Sequence, residues 1–299
     1  MLRLFRDNRP EPPSRVAYNP RMLWRCRHRS IDLTRPVVMG ILNVTPDSFS
    51  DGGRYAALEA ALERAREMVA EGAGIIDVGG QSTRPGALAV EAPLEIARVV
   101  PVIEAIAASC GVAISIDTSK PSVMTAAVAA GACIINDVYA LREPSARIVA
   151  AETQAGVCLM HMQGEPRTMQ DSPHYNDVVA EVMAFLAHER RECIAAGVAS
   201  DAIALDPGFG FGKNLEHNLT LLRELPRFAA LEAPLLIGVS RKSVIGKILG
   251  KSVKDRLYGG LGLAALAVAN GARIIRTHDV AATVDAVRSV SAVLQGSAA

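Results

Sequence analysis

Short, almost continuously apolar runs alternate with longer amphipathic segments from residue 37 to near the end of the chain. A continuous apolar run is typical of a strand buried on both faces of a parallel sheet. The segments between these runs have apolar residues at helical spacing, such as Leu58, Leu62, Ala65 and Val69. The predicted strands are Val37–Leu42, Ile75–Gly79, Val112–Ile116, Cys133–Asn136, Val157–His161, Ala202–Leu205, Leu235–Val239 and Ala272–Arg276.

Eight such strands, each followed by a helix, predict an α/β fold, the (β/α)8 TIM barrel. The alternative is a doubly wound open sheet, which would gather polar motifs at one switch point, whereas here they follow nearly every strand. The alternating segment Leu23–Leu33 predicts an N-terminal hairpin that plugs the barrel bottom. Because residues 1–20 contain four prolines, we expect a flexible arm over residues 1–21 and a single domain over residues 22–299.

Composition narrows the functional classes. The net charge of +1 provides no field for nucleic acid or an anionic membrane, and no apolar run is long enough for a membrane span. The five cysteines are far apart and form no C-x-x-C motif, which disfavours a zinc site or a disulfide framework and predicts reduced thiols. Residues 1–35 lack the apolar segment of a signal peptide, so the predicted location is cytoplasmic.

The first predicted strand runs into a polar, glycine-terminated loop, GILNVTPDSFSDGG, at residues 40–53. A buried strand followed by such a loop is typical of the edge of an active site. In a barrel the carboxyl ends of all strands converge on one face. One set of polar residues at these ends suits a flat heterocycle such as a pterin or a purine: Asp117, Asn136, Asp206 and Lys242. A second set suits a phosphate or pyrophosphate: Asn43, Thr83, Arg84, Arg276 and His278.

Simpler explanations exist for several of these features. Asp117 could be a helix N-cap, Asp77 and Asp137 are expected to bond loop amides, and His161 is expected to be a satisfied core histidine. The glycine repeat at 208–212 lacks the spacing of a nucleotide P-loop. We expect these glycines to let the backbone pass close to a flat ligand.

Seven motifs together resemble the dihydropteroate synthase family over about residues 22–295. Gln81 departs from the family pattern, which usually has Glu, so its role is left open. The motifs are GILNVTPDSFSDGG (40–53), IIDVGGQSTRPG (75–86), IDTS (116–119), INDV (135–138), DPGFGFGK (206–213), GVSRK (238–242) and RTHD (276–279).

The resemblance implies a transferase of folate biosynthesis, inhibited by sulfonamides, that uses Mg²⁺. It would join 6-hydroxymethyl-7,8-dihydropterin pyrophosphate to 4-aminobenzoate. It implies a catalytic role for Asp117, Asp206, Lys242 and Arg276. By resemblance the pterin would be held by Asp117, Asn136, Met160, Asp206, Lys242 and Arg276. The pyrophosphate would be held by Asn43, Thr83, Arg84, Arg276 and His278, with Asn43 also binding the metal. The 4-aminobenzoate would lie against Phe49, Thr83, Pro85, Phe211 and Ser240.

Two alternatives remain open. A methyltetrahydrofolate-binding methyltransferase has a pterin-binding barrel but would not explain the NVTPDSFSDGG loop or the pyrophosphate set. A pterin-binding module without catalysis is disfavoured because the anion-binding residues are intact. The segment Asp255–Asn270 is apolar nearly all round, which leaves one face that water would disfavour. This face, together with the resemblance, predicts a homodimer.

Overall fold

The computed structural model describes residues 22–44, 53–81, 90–165 and 168–296. The strands are β1 (Leu23–Cys26), β2 (Arg29–Asp32), β3 (Val37–Asn43), β4 (Ile75–Gly79), β5 (Ala113–Asp117), β6 (Ile134–Asp137), β7 (Gly156–Met160), β8 (Ile203–Asp206), β9 (Leu236–Gly238) and β10 (Ile274–Thr277). The α-helices are α1 (Gly53–Ala70), α2 (Ala92–Ser109), α3 (Pro121–Ala129), α4 (Pro144–Thr153), α5 (Val178–Ala195), α6 (Leu215–Arg223), α7 (Ser243–Leu249), α8 (Leu257–Ala269) and α9 (Val280–Gln295).

The eight strands β3 to β10 form one parallel sheet that curls into a nearly closed barrel. Their order is β8–β7–β6–β5–β4–β3–β10–β9, and a single parallel bridge between Leu205 and Leu235 joins the two ends. All eight predicted strands are confirmed, each within two residues at either end. The barrel prediction is therefore confirmed, and the doubly wound open sheet is excluded.

The inward face of the barrel changes character along each strand. Alternate residues of a strand point to the same face. On β4 this places apolar Ile75 below Asp77 and Gly79, and on β10 it places Ile274 below Arg276. The apolar end of the barrel is filled by packed side chains. The polar side chains at the other end are available to bind a ligand. The outward face, in contrast, is apolar and packs against the surrounding helices.

The N-terminal hairpin closes the apolar end of the barrel, as the sequence predicts. β1 and β2 pair antiparallel, and Trp24 and Cys26 pack on the first residues of the barrel strands. The Trp24 indole is fully buried, and its Nε1 donates to the Ala202 carbonyl at 2.9 Å. A Cβ on Gly156 would lie 2.5 Å from Cys26 Sγ, so only glycine lets the hairpin approach β7 this closely.

The predicted arm, residues 1–21, lies outside the described residues, and the single domain over 22–299 stays a prediction. None of the helices in the described ranges is long and apolar enough to cross a membrane.

The hairpin should contribute to stability through Trp24. Trp24→Ala removes a fully buried indole and its hydrogen bond, and we expect the free energy of unfolding to fall by about 3–5 kcal/mol in urea denaturation. The adjacent Leu23 is 58% exposed, so Leu23→Ala is the matched control and should change that energy by less than about 0.5 kcal/mol. Equal effects of both substitutions would contradict the role of the hairpin as a plug.

Candidate active site

Four neighbouring strands place one row of residues at the polar end of the barrel. The register aligns Asn43 with Gly79, Gly79 with Asp117, and Asp117 with Asn136. Gly79 contributes no side chain to this row. A Cβ there would lie 3.7 Å from Asn43 Oδ1 and 3.8 Å from Asp117 Oδ2. The row therefore contains a gap between an amide oxygen and a carboxylate.

The Arg276 guanidinium reaches across the barrel and joins two carboxylates. Its Nε donates to Asp77 Oδ2 at 2.6 Å, and its Nη2 donates to Asp117 Oδ2 at 2.7 Å. Asn136 Nδ2 also donates to Asp77 Oδ2, at 3.1 Å. Buried charges need such partners because each is costly to remove from water. Burial raises the pKa of Asp117 above its usual range, although Arg276 shifts it in the opposite direction.

Of the simpler explanations for the acidic residues, one is excluded, one is wrong and one is confirmed. The alternative that Asp117 caps α3 is excluded, because Lys120 occupies the N-cap position. Asp77 binds the side chains of Arg276 and Asn136 rather than loop amides. Asp137 does bond loop amides, accepting from Tyr139 N at 2.9 Å and Leu141 N at 2.8 Å.

Asp206 and Lys242 form the opposite side of the site. Asp206 is buried, and its Oδ1 accepts from Gly208 N at 2.7 Å. Burial lowers the pKa of Lys242 to about 8, and the Asp206 charge opposes this shift. Lys242 Nζ donates to the Phe209 carbonyl and lies 4.8 Å from the centroid of the Phe211 ring.

An apolar wall adjoins these charged groups. Met160, at the end of β7 beside Asp206, packs with Val138, Met162 and Met169, and the Phe211 ring packs against this cluster. Thioether side chains are flexible and polarizable, so they adapt to the face of a flat ring. A flat ligand here would meet hydrogen-bonding groups at its edge and thioethers on its face.

Ser240 and His278 are joined at the ends of β9 and β10. Ser240 Oγ lies 3.1 Å from His278 Nδ1, and the His278 backbone N–H donates to the same oxygen at 3.2 Å. A hydrogen bond at Nδ1 fixes the orientation of the imidazole ring. Ser240, predicted to contact the aminobenzoate, is therefore also a neighbour of a residue predicted to bind the pyrophosphate.

Lys213 is a buried lysine that the sequence motifs leave without a predicted role, and burial lowers the pKa of its amine well below the ordinary value. Its Nζ lies 2.9 Å from His161 Nδ1 and donates to the carbonyls of Gly208 and Phe211, each at 3.0 Å. His161 is a satisfied core histidine, as predicted, and burial followed by the Lys213 charge lowers its pKa to about 3. Lysine is almost never fully buried without partners, so sequence alone favours an exposed position.

The glycines of the loop after β8 serve the packing of the chain. A Cβ on Gly208 or Gly212 would collide with the backbone of His161 or Gln163, both in the segment after β7. The close approach at these two positions is therefore to protein backbone and not, as expected, to a ligand. All three glycines at 208, 210 and 212 have positive φ.

Gln81 connects the two described ends of the segment that follows β4. Its Oε1 accepts from Lys120 Nζ at 2.6 Å and from Val90 N at 3.1 Å. Lys120 Nζ also donates to the buried Glu95 Oε2 at 2.5 Å. With Gln at position 81, Lys120 has one carboxylate partner in this cluster, Glu95. The Glu that is usual in the family pattern would give it two.

Four predicted site residues lie outside the described ranges, and their assignments stay predictions: Phe49, Thr83, Arg84 and Pro85. The remaining predicted residues, Asn43, Asp117, Asn136, Met160, Asp206, Phe211, Ser240, Lys242, Arg276 and His278, all stand at or just beyond the carboxyl ends of barrel strands.

Comparison with known proteins agrees with this arrangement. The family model described as pterin binding enzyme matches residues 39–278. The dihydropteroate synthase of Escherichia coli (strain K12) is 54% identical over 265 residues, covering 89% of this chain and 94% of that protein. That of Haemophilus influenzae is 48% identical over 258 residues, covering 86% of this chain and 94% of that protein.

Solved structures give the same result. The Yersinia pestis dihydropteroate synthase in a sulfonamide drug complex is 50% identical, with a TM-score of 0.87 over 92% of this chain and 100% of that one. The Xanthomonas albilineans dihydropteroate synthase in complex with 7,8-dihydropteroate is 45% identical, with a TM-score of 0.83 over 91% of this chain and 98% of that one. The chain belongs to the family of pterin binding enzymes, among the dihydropteroate synthases.

Proposed function

We propose that this chain condenses 6-hydroxymethyl-7,8-dihydropterin pyrophosphate with 4-aminobenzoate, giving 7,8-dihydropteroate and pyrophosphate in folate biosynthesis. The observation that carries the proposal is the convergence of buried carboxylates, an amide and an ammonium beside a guanidinium and an imidazole at one barrel end. The relatives that share this chain's fold include enzymes in complex with a sulfonamide drug and with 7,8-dihydropteroate.

The pterin ring would lie among Asp117, Asn136, Asp206 and Lys242. Carboxylates accept hydrogen bonds from ring N–H groups, and an ammonium donates to ring acceptors. Asp117, Asn136 and Asp206 are buried and Lys242 is half-buried, and low access of water strengthens each of these interactions. The Met160 cluster would pack against one face of the ring, and Arg276 would lie beside it.

The pyrophosphate would bind near Arg276, His278 and Asn43, with Thr83 and Arg84 completing the site. We propose Mg²⁺ as cofactor, with Asn43 as its protein ligand. No cluster of three or more His, Cys, Asp or Glu residues in the described ranges could hold a metal ion. Magnesium needs no such cluster, because it commonly binds through one or two protein oxygens together with substrate phosphates. When bound, it would neutralise charge on the diphosphate.

The 4-aminobenzoate would bind beside the pterin, against Phe211 and Ser240. Phe211 is well placed, because its ring packs on the methionine cluster next to Lys242. Phe49, Thr83 and Pro85 would complete this part of the site.

The reaction we propose is dissociative. The bond between the pterin methylene carbon and the diphosphate oxygen breaks, and its electron pair leaves with the diphosphate. The dihydropterin ring delocalises the resulting positive charge, which Asp117 and Asp206 stabilise, while Arg276 and His278 stabilise the leaving anion. The neutral aryl amine then forms the new C–N bond and releases one proton, which the departing diphosphate accepts. Loops at the barrel mouth would exclude water, which would otherwise capture the cation.

The activity is tested by measuring pyrophosphate release in the presence and absence of 4-aminobenzoate. The proposal requires release that depends on 4-aminobenzoate. A methyltransferase of the methyltetrahydrofolate-binding type, or a pterin-binding module without catalysis, would release none in either condition.

A homodimer and a cytoplasmic location complete the proposal. α7 and α8 expose several large apolar side chains, of which Tyr258 is 77% exposed. Large exposed apolar side chains this close together in the sequence favour a protein interface. The five cysteines are free thiols, as expected in a reducing compartment. The proposal includes no nucleic-acid or membrane partner. The other apolar side chains on this surface are Ile248, Leu249, Val253 and Leu266.

Asp206→Asn should weaken binding of the pterin ring. Losing a hydrogen bond to a charged group costs about 1.5–3 kcal/mol, so calorimetry with 6-hydroxymethyl-7,8-dihydropterin should show Kd raised by roughly one to two powers of ten. Binding of pyrophosphate to the same variant is the control and should change less than about twofold. Normal pterin affinity would refute the role assigned to Asp206.

Gly79→Ala should abolish most activity without unfolding the protein. The new Cβ would make only ordinary contacts, the nearest at 3.6 Å, but it would fill the gap between Asn43 and Asp117. Displacing a reacting group by about 1 Å can cost about 10²-fold, so we expect kcat/KM to fall by about that factor with an unchanged melting temperature. Gly262→Ala, where a Cβ meets nothing within 4 Å in the subunit, is the control, and it should keep both the activity and the light-scattering mass of the wild type. Full activity of Gly79→Ala would show that the gap is not used.

Tyr258→Glu should convert the proposed dimer to a monomer. A charge at this exposed position opposes burial in an interface but costs the isolated subunit little. Light scattering at micromolar concentration should give the mass of two chains for the wild type and one for the variant. Ile148→Glu, at another exposed apolar residue on α4, should remain dimeric. A monomeric wild type would end the dimer proposal.

A further inference from the structure

Asp77 occupies an unusual position below the proposed pterin site. It lies on β4 beneath the gap at Gly79, and its side chain is fully buried. Asp77 lies deeper in the barrel than Asp117, so a ligand at the barrel mouth would contact Asp117 and not Asp77. Its Oδ2 nevertheless accepts from two side chains that are expected to touch one, Asn136 and Arg276.

The contact with Asn136 fixes which way its carboxamide faces. A carboxylate only accepts hydrogen bonds, so the Asn136 group turned toward Asp77 must be the Nδ2 amide. The Oδ1 atom lies on the other branch of the carboxamide and can accept a hydrogen bond from a ligand. Asn136 therefore has its acceptor fixed in direction, while one of its two Nδ2 N–H groups is committed to Asp77.

The contact with Arg276 fixes the guanidinium in the same way. Nε is held by Asp77 and Nη2 by Asp117, so one edge of the planar group is committed to protein carboxylates. The opposite edge and the planar face keep their orientation relative to the ring site. Without Asp77, the guanidinium would keep, among the residues that the structure describes, only its hydrogen bond to Asp117.

Asp77 is also costly to keep. Its Oδ1 is buried and has no hydrogen-bond partner among the described residues. A buried carboxylate with an unpaired oxygen destabilises the folded state, and a neutral side chain of similar size would be easier to bury. A residue that lowers stability in this way is retained when its charge serves ligand binding, so the unpaired oxygen favours a binding role for Asp77.

We propose that Asp77 is a positioning residue that sets the hydrogen-bonding pattern the site offers to the pterin ring, acting through Asn136 and Arg276. This inference rests on the proposed function, because the ring whose hydrogen-bonding groups are recognised is the pterin. It assigns selectivity for the ring to a carboxylate that the ring does not touch.

Asp137 offers a matched control. It is also a buried aspartate at the carboxyl end of a barrel strand, next to Asn136 in the sequence. Its two hydrogen bonds go to the backbone N–H groups of Tyr139 and Leu141. Asp137→Asn therefore makes the same chemical change as Asp77→Asn without disturbing Asn136 or Arg276 side-chain contacts.

The experiment compares the binding of 6-methylpterin and 6-methyllumazine by calorimetry. The two rings differ at C2 and N1: lumazine has an oxo acceptor and an N1–H donor where pterin has an amino donor and an N1 acceptor. The wild type should bind 6-methylpterin more tightly. In Asp77→Asn, Asn136 can turn over and Arg276 loses a charged partner, so the ratio of the lumazine Kd to the pterin Kd should fall by about tenfold, which corresponds to about 1.4 kcal/mol. Asp137→Asn should keep the wild-type ratio within about twofold, even if it lowers the melting temperature.

An unchanged ratio in Asp77→Asn, or equal narrowing in Asp137→Asn, would overturn the proposal. If Asp77→Asn does not fold, the double variant Asp77→Asn/Arg276→Gln removes both charges of the pair and is compared with Arg276→Gln alone. The double variant should have the narrower ratio, because only it frees Asn136, and equal ratios would overturn the proposal. Failure of the wild type itself to bind 6-methylpterin would instead count against the proposed function.

Discussion

A single guanidinium ties together the carboxyl end of the barrel. Arg276 on β10 reaches past β3 to the buried carboxylates of β4 and β5, and through Asp77 it is connected to Asn136 on β6. Charges taken out of water are tolerated only when they are paired, and here the pairs run between strands that are far apart in sequence. The positions of the inward-facing polar residues therefore depend on one another.

The rest of the barrel supplies the conditions for this network. The same inward face that carries these groups is apolar one layer below, and the hairpin with Trp24 seals that layer from solvent. Water is thus excluded from the closed end, and the polar groups can face only the mouth. Low access of water strengthens every hydrogen bond and ion pair in the site, which is the condition for stabilising a transient cation beside a departing diphosphate.

A buried amine organises the other side of the mouth. Lys213 has no place in the proposed chemistry, but its Nζ donates to the carbonyls of Gly208 and Phe211 and lies 2.9 Å from His161 Nδ1. The loop after β8 folds around this amine, and the loop carries Phe211 toward Lys242 and the methionine cluster. Hydrogen bonds from Lys213 to backbone carbonyls hold this side of the site, whereas ion pairs between side chains hold the side at Arg276.

The sequence by itself predicted the eight strands, because short apolar runs that alternate with amphipathic helical segments favour a parallel sheet covered on both faces. It also brought Asp117, Asp206 and Lys242 to one end, since the carboxyl ends of parallel strands must meet. Only the tertiary structure decided how these groups pair. Asp77 and Asp137 look alike in sequence, yet one holds Arg276 and the other holds loop amides. The partners of a buried charge come from strands that are distant in sequence. The local pattern of residues therefore does not predict which partner each charge will bind.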